Sequence, residues 1–207
     1  MKKSIWITAA IAGIIVASVA TIFVSITPSS NPIGNFLGVK AATISPTESG
    51  LEAKLVTHGF IPQDGKYGAF GYGILTSVGL DGVIVATTHA GVLDSEMQQS
   101  ASDPIWHSHF VSLGTGHKLC NGNPNVTDIT YESPSTINVN QNNINFDKIP
   151  STFTGTNPLT NKQTTIAPGN DAQSIVSFTL APKFDNAGQL QAVCVENITP
   201  TEKFDTS

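Results

Sequence analysis

The sequence predicts an all-β protein: an antiparallel β-sandwich of about seven or eight strands, preceded by one N-terminal transmembrane helix. Short apolar, β-branched runs separated by Gly, Asn, Asp and Pro turn signals predict the strands. One uncharged apolar run at the N-terminus, with lysines ahead of it, predicts the helix. Low charge (12%) with 40% hydrophobic residues predicts a packed core rather than disorder.

The helix comes first in the chain. Ile5 to Ile26 contains no charged residue and follows Lys2 and Lys3. At about 1.5 Å per residue, a helix over 5–26 rises about 33 Å, enough for a bilayer core of about 30 Å. The positive-inside rule leaves the lysines in the cytoplasm and residues 27–207 outside the cell, on a single-pass anchor in the cell membrane. The competing expectation is a secreted protein, cleaved after the small residues Ser18-Val19-Ala20. Thr21 to Ile26 continue the apolar run past that point, which favours an uncleaved anchor. Either route exports the same domain.

Residues 1–26 form the anchor segment, 27–50 a stalk or linker, and 51–207 an extracellular β-sandwich domain. The stalk is expected because 27–50 is rich in Pro, Gly, Ser and Thr without helical periodicity. Beyond it, Gly68–Thr76 and Gly82–His89 are strand-like and joined through Asp81-Gly82, a hairpin signal. Ile105–Leu113 is a further strand, and Ser174–Leu180 with Leu190–Ile198 forms a hairpin around Asp185-Asn186-Ala187-Gly188. Shorter candidates are Asp128–Glu132, Thr136–Val139 and Pro150–Thr154, and the best helix candidate is Val92–Gln99. Residues 121–170 hold eleven of fifteen asparagines, a composition of long surface loops with short strands between them.

Charge excludes some partners. All ten basic residues are lysines and the net charge is −5. Beyond residue 26 the balance is eight lysines against fifteen acids, or −7. An arginine-free acidic domain lacks the basic face that nucleic acid requires.

The chemical signal is histidine. Four of five, His89, His107, His109 and His117, fall within 29 residues. On a strand, alternate side chains share a face, so His107 and His109 point the same way about 7 Å apart. That spacing lets two imidazoles converge on one metal ion, with His89, His117 or both completing the set. Imidazole suits zinc or copper, so a transition metal ion is the expected cofactor. Asp94, Glu96 and Asp103 lie in the intervening loop as acid–base groups, partners of the histidines, or solvated charges. His58 stands apart from the cluster.

Cys120 and Cys194 are the only cysteines, and outside the cell they are expected to form a disulfide. A copper site using Cys120 is the exclusive alternative, although no methionine lies near it in sequence. Asn125 and Asn197 match the glycosylation sequon. The glycine-rich Gly65–Gly73 fits no phosphate-binding order, and alternating Gly and aromatics there point to close strand packing. The resulting expectation is a membrane-anchored extracellular transition-metal-binding protein. Its alternatives are a structural or adhesive domain without metal, and a zinc-dependent lyase or hydrolase, for which no hydrolase motif is present.

Overall fold

A computed structural model describes residues 35–206; the anchor segment and the first part of the expected stalk lie outside the described residues. Thirteen strands follow one another, without an α-helix among the described residues. They are β1 (Val39–Thr47), β2 (Gly50–Thr57), β3 (Phe70–Leu75), β4 (Val83–Thr88), β5 (His107–Gly114), β6 (Asn125–Ile129) and β7 (Thr136–Asn140). Then come β8 (Asn143–Ile149), β9 (Phe153–Asn157), β10 (Lys162–Ile166), β11 (Ser174–Phe184), β12 (Leu190–Pro200) and β13 (Phe204–Thr206). No described helix is long and apolar enough to cross a membrane.

The expected sandwich gives way to a closed barrel with a sheet against its flank. The barrel runs β11-β12-β6-β5-β4-β3, and β11 pairs with both β12 and β3 to close it. Every barrel pairing is antiparallel. Register shifts at Ser177/Thr179 in the β11–β12 ladder and at Ser112/Leu113 in the β5–β6 ladder mark bulges. Bulges sharpen the local twist, which helps a sheet curl shut instead of stacking flat on a second one. The seam between β12 and β6 is thin, with Cys194 opposite Asn125 and Val195 N–H donating to Pro124 O.

The flanking sheet has the order β13-β1-β2-β8-β7, antiparallel except where β13 joins β1 in parallel. Part of the expected stalk is therefore structural: β1 pairs with β2 from Thr47↔Gly50 onward, and Ala42 and Ile44 are buried. Alternation of small or apolar residues with Thr and Ser gives that stretch one buried face despite its loop-like composition. The Asn-rich tract behaves similarly, since Asn143-Ile144-Asn145-Phe146 alternates and buries Ile144 and Phe146 in β8.

Two cores result. Ile44, Leu55 and Phe146 of the sheet meet Tyr72, Ile84 and Phe110 on the outside of the barrel wall. Val83, Val85, Val111, Phe178 and Val195 form a second cluster within the barrel. Strands β4 and β5 thus bury both faces. Gly71 on β3 is required by the tight packing of that wall. A Cβ there would lie 2.3 Å from Ala86 O and 2.9 Å from a Phe178 ring carbon. The disulfide forms between Cys120 and Cys194 across 74 residues. It ties the short turn Lys118–Cys120 to β12 beside the barrel seam.

Candidate metal centre

Strand alternation places the centre. On β5, Ser108 and Phe110 face outward, Phe110 into the core beneath the sheet, while His107 and His109 share the opposite face. Their rings lie edge to face, with centroids 4.8 Å apart. His89 follows the end of β4, and its ring stands 5.0 Å from that of His107. The loop after His89 then returns Asp94 to all three.

The distances around His89, Asp94 and His107 suit one ion, with His109 beside them. Asp94 Oδ2 is 3.1 Å from His89 Nε2 and 3.8 Å from His109 Nε2, and Asp94 Oδ1 is 3.4 Å from His107 Nε2. Ligands bound at about 2.0–2.1 Å in a tetrahedron stand about 3.3 Å from each other. His89, Asp94 and His107 each offer an atom within 4.8 Å of the others.

Hydrogen bonds on the far side of the rings fix their chemistry. His107 Nδ1 meets Ile105 O at 2.8 Å and His109 Nδ1 meets Thr130 O at 2.6 Å. A carbonyl only accepts, so each Nδ1 carries its proton and donates. The neutral ring then presents a lone pair at Nε2, the arrangement that orients a metal-binding histidine. Both Nε2 atoms and Asp94 Oδ1 are buried without a hydrogen-bond partner. An unpartnered buried polar group costs roughly 1–3 kcal/mol, and lone pairs facing a carboxylate add repulsion. A cation among them relieves both.

Burial, the dominant influence, pushes His109 down from 6.5 to about 4, against the opposing charge of Asp94. Burial would raise Asp94, but the attraction of the adjoining His107, His89 and His109 rings in their protonated forms outweighs it. The carboxyl is held well below its usual range.

The loop carrying Asp94 is not the expected helix. Gln98, buried within it, accepts from the Asp94 and Ser95 amides at 3.0 and 3.3 Å, and donates to Val92 O and Asp103 O. Side-chain bonds to the backbone replace the helical ladder over Val92–Gln99. Glu96 anchors the same loop by accepting from Ser133 N–H, and its own amide donates to Tyr131 O.

Of the residues singled out in the sequence, His89, His107 and His109 are brought together and His117 is not. His117 lies beyond the other end of β5, where its Nδ1 accepts from Leu119 N–H. Asp94 stands between the three that converge, and among the described residues the ligand atoms that lie within 4.8 Å of one another are those of His89, Asp94 and His107, with His109 next to them. The residue type of Asp94 and its position five residues after His89 were legible, whereas the inward path of its loop depends on Gln98. Asp103 caps its own turn by accepting from Gln99 and Ile105 amides, and His58 pairs with Glu202 at the surface. The disulfide removes Cys120 as a copper ligand. Asn125 is buried and Asn197 is exposed.

Fold and site define an all-β barrel protein with a buried His–Asp cluster able to hold a metal ion. No protein-family model, curated protein or solved structure matches the chain.

Proposed function

We propose that this protein is a membrane-anchored extracellular metal-binding protein. One transition-metal ion, zinc or copper, is held by Nε2 of His89, His107 and His109 and by the Asp94 carboxylate. The carrying observation is the set of buried, unpartnered atoms facing one another: His107 Nε2, His109 Nε2 and Asp94 Oδ1. Three imidazoles and one carboxylate suit borderline divalent ions, with copper bound more tightly than zinc by the general affinity order. The lysine-flanked apolar run over 5–26 and the acidic charge of the remainder support export on an anchor. A disulfide between the only two cysteines supports an oxidising compartment.

The test is metal analysis of the full chain, purified without chelator and reloaded with zinc or copper. One ion per chain is expected, and its loss in a His107→Ala/His109→Ala variant. A wild-type chain without stoichiometric metal ends this reading and leaves a structural or adhesive domain. Retention by the double variant shows that other residues are the ligands.

A further inference from the structure

The barrel interior holds a cavity of about 140 Å³, open in part to solvent past the exposed Leu159 and Ile198, and lined by side chains that include Val85, Val111, Phe178 and Val195. Among all its lining side chains only Thr87, Asp94 and His109 are polar. Thr87 is satisfied, because its hydroxyl donates to Phe70 O at 2.9 Å. His109 is not: its Nε2 is buried and unpartnered. The cavity is thus an apolar chamber with one chemically demanding edge, and that edge is the proposed metal centre.

Resting on the metal-binding reading, the geometry points to a small organic monoanion as the ligand of this chamber, its apolar body in the barrel and its anionic head on the metal. Size sets the body. Apolar protein cavities of about 150 Å³ stay dry and accept benzene. Charge sets the head. Three neutral imidazoles, one carboxylate and a divalent ion leave one positive charge in apolar surroundings, where a single anionic donor gives neutrality. A zinc-type ion can expand its coordination to five, which leaves room for such a donor. A short aromatic or aliphatic carboxylate fits both requirements. A dianion, or a molecule polar along its length, leaves groups unpartnered against valine and phenylalanine.

The full chain in lipid nanodiscs, loaded with cobalt(II) as a coloured substitute, tests the assignment. Cobalt is titrated first, and benzoate, acetate and benzene are then added separately. Benzoate is expected to change the visible cobalt spectrum saturably and to bind at least about tenfold more tightly than acetate, since only it buries a ring. Benzene is expected to compete with benzoate without changing the spectrum itself. Val111→Phe and, on another strand, Val176→Phe fill the chamber. Whichever variant retains the wild-type circular dichroism should bind cobalt normally and lose benzoate by at least about tenfold. Normal cobalt binding with no response to benzoate overturns the ligand assignment and leaves the metal reading intact. Equal binding of acetate and benzoate, or full benzoate affinity in both filled variants, does the same. Absence of cobalt binding in the first titration overturns both.

Discussion

His107 and His109 stand two residues apart on β5, their rings 4.8 Å apart, and each donates its Nδ1 proton to a backbone carbonyl while directing Nε2 at Asp94. The cluster therefore behaves as a unit anchored at its back. Asp94→Ala is expected to weaken zinc or copper binding at least about 100-fold, beyond the 10–100-fold typical of losing a mere supporting partner. Competition against a chelator of known affinity measures this. Unchanged affinity would remove Asp94 from the ligand set.

The metal-free chain should lose stability in mild acid. Burial lowers His109 from 6.5 to about 4 in the folded state, so the unfolded chain binds the extra proton between those limits. The contribution is fully present above pH 6.5 and is lost as pH falls towards about 4. A displacement of this size corresponds to about 3 kcal/mol. Urea unfolding with chelator present, followed across that window, checks it. His109→Gln should flatten the dependence.

Gln98 supports Asp94 from behind. Gln98→Ala removes the acceptor of two loop amides and the donor to two carbonyls. Metal affinity is expected to fall about 10–100-fold, as for other supporting partners. Isothermal titration of the two chains with zinc, each at a pH where it is fully folded, gives the ratio.

The disulfide should stabilise the barrel by roughly 4 kcal/mol in the loop-entropy account, given its 74-residue separation. A Cys120→Ser/Cys194→Ser chain is expected to unfold at a correspondingly lower urea concentration. Amide exchange should rise first in β6 and β12, because their shared ladder is the thinnest part of the barrel.

The glycine-rich strand offers an internal control. A Cβ at Gly71 would lie 2.3 Å from Ala86 O, whereas one at Gly73 would meet nothing closer than 3.5 Å. Gly71→Ala should cost about 1–3 kcal/mol or more through overpacking, and Gly73→Ala far less. Thermal unfolding of the two variants compares them directly.

The parts of the fold most legible in the sequence were those where local chemistry and burial agree. The connection over 77–82 and the Asp185–Gly188 turn each join the strands expected of them, β3 to β4 and β11 to β12, although the first turns through Gly79–Asp81 rather than at Asp81-Gly82. Strand β1 was obscured by Pro46 and by the polar residues on its exposed face, and β8 by asparagine, which disfavours strands until its apolar neighbours are buried. Barrel closure was not legible, because the β11–β3 pairing joins residues about a hundred positions apart. His-x-His on one strand is a local pattern and was visible. The approach of Asp94 depends on Gln98 bonding within its loop, and the separation of His117 depends on strand length.

Strand β5 is the common wall of two cores, and this has a consequence for folding and for ion exchange. A slip of one residue in its pairing would send Phe110 into the barrel and the imidazoles beneath the sheet, so no neighbouring register is tolerable. The two histidines are thereby fixed to the barrel side of the wall, and their rings are tied at Nδ1 to Ile105 O and Thr130 O. Of the cluster, His89 and Asp94 lie on the loop that follows β4, outside the strand pairing, so the lifetime of a bound ion should follow the opening rate of that loop, while β5 sets where the ion sits.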